Sequence, residues 1–478
     1  MSDIEGWRSS PDTRGTIDIL WSCLSTLALC VWTAIHPNIP VVYKFWPVFF
    51  DRLGLMGLAI VFPEIIITAA WSQRRRGQSL LADVNRSFGY LPKVSGPKLR
   101  TRNLFKKSPY KSPNDSIRQT DSPLTTYSGV ELVALPASDN SRIARHHQWD
   151  LDRALFGVMG GYAMETRYHT HDGEEHILRR LVTADGISIL ARIGELPAIT
   201  LNDIEERSKA DIFAKSIVVG QIIWFALQVF GRLGRNLPVT PLETHTAIHV
   251  GCTILVYIIW FHKPYNLTQS IVVKGPQAQN IGALFSFHDI SRDVYRQQWH
   301  RYEDERIEYW KTRVIQASRG DTNFSSPPQA PVSMGLRQAL QHYKLEPNLD
   351  APDKLRQDIE ILHALAENAT QGLHYIESRG CSALDHPSSG NLKLLRDSAE
   401  NFAIRSVWGG WSSDIGHEPS LAKGIHVLFN VLYGGSHLAA WSSFFPSTVE
   451  SWLWRCSALF LTTVPLWGLL WILWWRGL

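Results

Sequence analysis

The chain has 478 residues, 19% of them charged, a formal charge of +4 and a mean hydropathy near zero. That average hides a sharp division into apolar runs and strongly polar stretches, so membrane spans alternating with polar loops are expected. Of the five cysteines, Cys23, Cys30, Cys252 and Cys456 sit inside apolar runs and Cys381 stands alone, which excludes a disulfide framework or a zinc knuckle.

Six runs approach the roughly 17 to 25 residues that cross a bilayer as helix: 18–35, 53–71, 212–231, 245–262, 425–441 and 452–475. The first ends in His36-Pro37 without a small-residue cleavage site and reads as an uncleaved anchor. The second, LGLMGLAIVFPEIIITAAW, carries Glu64 in its middle. A carboxylate at a helix centre costs at least about 2.5 to 3.5 kcal/mol unless it is protonated, paired or facing a polar cavity. Pro63 opens the local hydrogen-bond ladder, so Pro63-Glu64 predicts a polar kink facing the bundle interior.

Residues 92–140 are rich in Lys, Arg, Ser and Pro without apolar periodicity, and they predict a flexible, solvated insert. Residues 149–165 (WDLDRALFGVMGGYAME) predict a short amphipathic helix, interfacial or re-entrant, broken at Gly160-Gly161. YHTHDGEEH brings His169, His171, Asp172, Glu175 and His176 together without a recognised metal-ligand spacing. Thr183 and Asp185 cap a helix that Gly194 ends, and Pro197 with Thr200 opens a second that leads into the third span.

The third span carries Gln221 and Gln228, seven residues apart on one face. Ahead of and inside the fourth lie Glu243, His245 and His249, the two histidines at i and i+4 and so on one helical face. Helices are predicted around 289–316 and 353–377, separated by the Ser/Pro-rich stretch 321–334, with Leu355, Ile359, Leu362, Leu365 and Ala366 at helical spacing. The fifth span carries Asn430, Tyr433-Gly434-Gly435 and His437, where small residues permit close helix approach.

Tryptophans cluster at the ends of these runs, as indole rings prefer the headgroup level. Arg74, Arg75, Arg76, Lys263, Lys423 and Arg476 flank the spans on one side, which puts both termini and both long loops in the cytosol; Arg232 and Arg235 lie on the other side. The opposite orientation would make Asn85, Asn114, Asn266, Asn323 and Asn368 glycan acceptors.

The expected architecture is all-α: a polytopic bundle of about six spans with two long, partly disordered polar loops containing amphipathic helices. Its parts are two spans (1–76), a basic loop (77–148), interfacial and juxtamembrane helices (149–210), spans three and four (211–263), a polar helical region (264–423) and spans five and six (424–478).

GWRSSPDTRGTIDILWSCLSTLALCVWTAIHPNIP, the Pro63-Glu64 span, ALFGVMGGYAME, GELPAITLNDIEERSKAD, WFHKPYNL and YGGSHLAAWSSFFPSTVESWLWR together resemble a large family of fungal multi-pass membrane proteins. Lys209 and Asp211 keep two charges of a Lys-Gly-Asp-like step. The resemblance implies membrane status and, through some members' association with secondary-metabolite clusters, a metabolic setting, but no established activity.

Chemistry therefore rests on the site. One reading is an enzyme acting on an apolar lipid, terpenoid or polyketide, with Glu64 as general acid or base and His437 or His249 orienting or relaying the proton. A second is a membrane scaffold or sensor that holds cytosolic protein partners, and a third is a proton-coupled transporter. No cofactor and no metal site is expected, and no basic strip interleaved with aromatics suggests a nucleic-acid partner. The membrane is that of the endoplasmic reticulum or the cell surface.

Overall fold

The computed structural model describes residues 15–90, 148–170, 172–200, 203–204, 210–265, 267–318, 326–344, 353–381, 384, 392–397, 420–445 and 447–477. The expected insert 92–140, residues 321–325 of the Ser/Pro-rich stretch, His171, Lys209, Asn114, Asn266 and Asn323 lie outside them.

The first helix, α1 (Thr16–Ala34), buries Cys23, Thr26, Leu27, Cys30, Val31 and Ala34 and turns Ile17, Trp21 and Leu24 outward. An outer face this apolar suits lipid rather than water. α2 (Phe45–Val61) and α3 (Pro63–Ser87) replace the second predicted span, and the chain bends by 113° between them. Proline has no N–H to continue the ladder of α2 but suits the first position of a new helix, so Pro63 opens α3. The expected kink is thus a break, with Glu64 in the first turn of the second helix.

α4 (Leu151–Val158) leads into a four-stranded sheet of order β3-β1-β2-β4. β1 (Tyr162–His169) and β2 (Glu175–Val182) form an antiparallel hairpin from Ala163↔Leu181 to His169↔Glu175. After β2 come α5 (Ala184–Ile193), α6 (Ala210–Gly234) and α7 (Pro241–Ile259). β3 (Ile271–Val272) pairs parallel to β1, and α8 (Ala278–Ser318), α9 (Leu336–His342) and α10 (Asp353–Ser378) follow. β4 (Leu395–Arg396) lies antiparallel to β2, and α11 (Ser420–Ser436), a 3₁₀ turn (His437–Ala440) and α12 (Thr448–Gly477) complete the fold.

The protein is mostly helical, as expected, but the sheet corrects the all-α expectation. Residues 149–165 are not one exposed amphipathic helix but a buried helix followed by the start of a strand. α4 is buried on nearly all sides, Gly160 turns the chain at φ +98°, and Tyr162 starts a strand in the same core. The predicted helix start at Thr183 is observed, its hydroxyl accepting from the Gly186 amide, and Gly194 ends the helix at φ +76°.

Two kinds of core result. The larger gathers Leu80 and Val84 of α3, Phe156 of α4, Met164 of β1, Val182 of β2, Phe285 and Phe287 of α8, and Leu362 and Leu365 of α10. The two long helices come close because Gly372 of α10 lies on the backbone of Asn280, where a Cβ would stand 2.3 Å from its carbonyl oxygen. The apolar helices form separate clusters, one joining α1, α2, α3 and α7, the other α1, α6 and α7. Among the described residues three helices are long and apolar enough to cross a membrane, Thr16–Ala34, Ser216–Gly234 and Pro241–Ile259, or four if the bent pair counts as one span.

Candidate functional site

α3 and α7 run side by side from the larger core into the apolar bundle. At their shared end Arg74 donates to the carbonyl of Ile259 at 2.8 Å, satisfying a terminal carbonyl of α7. Glu64 stands in the first turn of α3 between Pro63 and Ile66, which line a small cavity together with Cys252 of α7. Cys252 precedes Ile259 by seven residues, which puts this level about 10 Å inside the helix end. The Glu64 side chain is buried, and its Oε2 has no hydrogen-bond partner among the described residues.

Deeper along α7 stand three histidines in contact. α11 packs on α7 through Tyr433, whose hydroxyl lies 3.3 Å from Nε2 of His249, and the 3₁₀ turn after it through His437, whose Nε2 lies 3.0 Å from Nδ1 of His245. The His245 and His249 rings meet edge to face with centroids 4.4 Å apart. His437 Nδ1 is 2.9 Å from the Tyr433 carbonyl, which only accepts, so the proton is on Nδ1. In the neutral ring Nε2 is then an acceptor, His245 must donate to it from Nδ1, and His245 Nε2 carries a lone pair. The set is thus two hydrogen-bonded pairs, His245–His437 and His249–Tyr433, which meet where the His245 and His249 rings touch.

α11 also packs on α12. The backbone of Gly434 lies so near the other helix that a Cβ would stand 2.5 Å from the Leu461 carbonyl carbon, whereas Gly435 has open space. The expected close approach therefore falls on Gly434. Beside His249 a cavity of about 20 Å³ is lined by Ala59, Pro63, Ile66, Cys252 and Thr253 among others. That is room for one water molecule.

The remaining polar residues noted in the sequence serve other contacts. Gln221 donates to Thr26 at 2.9 Å and Gln228 accepts from Ser22 at 3.1 Å, so both fasten α6 to α1. Glu243 forms a capping box with Thr240 at the start of α7. His176 stacks on Tyr168 beside the hairpin turn, and among the described residues no group of three metal-ligating side chains occurs. Asn85 is buried in α3, donating to and accepting from the Trp149 backbone at 3.1 and 2.8 Å, which removes it from the glycan acceptors.

A second polar node was not foreseen. Lys263, expected as a flanking charge in the aqueous phase, is buried at the junction of bundle and larger core. Its ammonium group donates to the His36 carbonyl, to Gln73 Oε1 at 2.9 Å and to Asn38 Oδ1 at 3.2 Å, and lies 4.3 Å from the Trp260 ring centre. Burial, with Arg396 nearby, pushes its pKa well below the ordinary lysine value. Arg52 sits close by over the Trp32 ring at 4.1 Å and donates to the Tyr265 hydroxyl. The signal that could have revealed this node is the run WFHKPYNL, where a lysine among aromatics at a helix end has the company a buried cation needs.

Over residues 1–106 and 132–293 the chain matches the model of a family of unknown function (DUF8562), and it belongs to that family. No curated protein and no solved structure matches it.

Proposed function

We propose that this family member is a fungal multi-pass membrane protein in which Glu64 exchanges protons with the histidine set of α7 and α11 to perform acid/base chemistry on an apolar lipid, terpenoid or polyketide-type metabolite. The observation that carries this reading is the buried Glu64 carboxyl group at a helix break, whose Oε2 has no hydrogen-bond partner among the described residues, in the same bundle as the hydrogen-bonded pairs His249–Tyr433 and His245–His437. Val61 and Phe62, just before the break, are 54% and 38% exposed on the lipid-suited face, so an apolar molecule in the bilayer would approach within a few residues of Glu64. Tyr433 and His249 would pass a proton to or from the carboxyl group, with His437 and His245 behind them. Secondary metabolism in an endomembrane or the cell-surface membrane is the setting we assign.

The topology supported by the contacts is five crossings and one re-entrant pair. α1 and α7 both end at the larger core, where His36 and Trp260 rings lie 5.5 Å apart. α6 runs antiparallel to α1 and α11 antiparallel to α7, as the pairs Ser22–Gln228, Thr26–Gln221, His249–Tyr433 and His245–His437 require. α2 and α3 leave and rejoin the side of the larger core. An odd number of crossings sets the start of α1 and the end of α12 on opposite faces, which revises the even count expected from the sequence.

A second reading, proton-coupled transport, rests on the same buried carboxyl group, which would take up and release a proton as the coupling group. Untargeted mass spectrometry of cells and medium, kept separate, decides between them in a deletion strain, the restored strain and a Glu64→Gln strain. Catalysis predicts an intermediate accumulating in the deletion and Glu64→Gln strains. Transport predicts the same compounds redistributed between cells and medium. Normal metabolites in Glu64→Gln cells would remove the carboxyl group from the mechanism and leave a scaffold or sensor that holds cytosolic partners.

A further inference from the structure

A groove of about 1150 Å³ opens between α8 and the segment leading into α9, far along the chain from the bundle residues. No Asp or Glu lines it among the described residues, whereas Arg292, Arg296, Arg337, His288 and His300 do; Arg337 is ion-paired with Glu377 and His288 with Asp289, both outside the lining. Its apolar lining is substantial too, with Trp299, Tyr295 and Tyr343 along the helices and Met334 and Leu336 opposite. A volume near or above that of drug-sized pockets with such a mixture suits a ligand with an apolar body and an anionic end.

His288 is built into this wall. It is buried, and its Nδ1 lies 2.9 Å from Oδ1 of Asp289, which is buried as well. Asp289 is in turn fixed by the backbone amides of Leu394 and Leu395, which donate to Oδ2 at 3.0 and 2.7 Å. With Nδ1 committed to the carboxylate, Nε2 is the nitrogen left for the groove. Anchoring a histidine through a buried aspartate fixes the orientation of its ring in the wall of the groove.

We propose that this groove is a binding site for a small amphiphilic anion, an organic phosphate or carboxylate whose charged end meets His288 and Arg296 and whose apolar body lies along Trp299 and Met334. The site is independent of Glu64, and it would give the cytosolic part a way to sense or hold a metabolite.

The test uses the full chain in neutral-lipid nanodiscs with 1-naphthyl phosphate as probe, 1-naphthol as the uncharged control and a naphthyl trimethylammonium salt as the cationic one, followed by calorimetry. Naphthyl phosphate is expected to bind at least tenfold more tightly than naphthol, and the cation not at all. Arg296→Gln and Trp299→Ala change exposed side chains and leave the fold standing, which circular dichroism checks. Each should weaken the phosphate at least tenfold, and His288→Gln severalfold. Phosphatidate added to the nanodisc competes with the probe if a lipid headgroup is the natural anion and does not if the anion is water-soluble; either result fits the proposal. Equal binding of the three probes, or affinity unchanged in both Arg296→Gln and Trp299→Ala, overturns it.

Discussion

The bundle and the larger core solve opposite problems, and α3 belongs to both. In the core, apolar side chains such as Phe285 and Leu362 point inward and are fully buried, and the exclusion of water holds the elements together. In the bundle, apolar side chains such as Trp21, Ile223 and Phe230 point outward, and polar ones such as Thr26, Glu64 and His249 point inward. Lipid gives apolar faces no reason to associate, so packing and interhelical hydrogen bonds must do so. The lesson is that the same helix, α3, is read by two rules: its second half by apolar burial at Leu80 and Val84, its first by what Glu64 can find inside the bundle.

The sharpest break in this comparison is expected from Gly372→Val. A Cβ there meets the Asn280 backbone, which cannot rotate away, so α8 and α10 must part. A cost of about 3 kcal/mol or more is expected, seen in detergent as loss of protease resistance of the part built on the larger core while the bundle helices stay protected. Lys263→Met comes next. It takes the ammonium donor from the His36 carbonyl and from Gln73 Oε1, while Asn38 Oδ1 keeps its bond from Gln73 Nε2, at about 2 kcal/mol, so thermal unfolding in detergent should shift downward for both regions together.

Gly434→Val tests the bundle alone. It pushes α11 from α12, at about 1 to 2 kcal/mol, and should lower the yield of a cysteine crosslink engineered between those helices while leaving protease resistance of the part built on the larger core unchanged. Glu64→Gln should change stability least, by less than about 1 kcal/mol, because the unpartnered oxygen has no hydrogen bond to lose. Loss of function without loss of fold in that variant would separate chemistry from architecture; a melting temperature several degrees lower would instead mark Glu64 as a packing residue.

Much of the bundle was legible. α1, α6 and α7 fall where continuous apolar runs predicted them, because a run of that length has few alternatives in any solvent. The i, i+4 pair His245 and His249 was visible for the same reason, since helical periodicity fixes a shared face. The meeting of His245 with His437 and of His249 with Tyr433 was not, because it depends on how α11 lies across α7, a matter of packing between segments almost two hundred residues apart.

Local sequence was weakest at the junction. The strand Tyr162–His169 has apolar residues at its start and polar ones at its end, so its period-two signal is brief, and it is a strand because β2, β3 and the α8 face cover it. Lys263 looked like a flanking charge because charge at a span end usually faces water; only the carbonyl, two amides and indole that converge on it make burial tolerable.

By itself, then, the sequence determined where helices are long and apolar enough for a bilayer, where α5 is capped, and that a carboxyl group had to be accommodated beside Pro63. Those are properties of contiguous residues, set by side-chain hydropathy and backbone hydrogen bonding within a few turns. The tertiary structure decided that the Pro63 step is a 113° break, that residues flanking it reach both cores, and which histidines face one another. Each of these depends on the summed packing of distant segments, whose energy no local pattern contains.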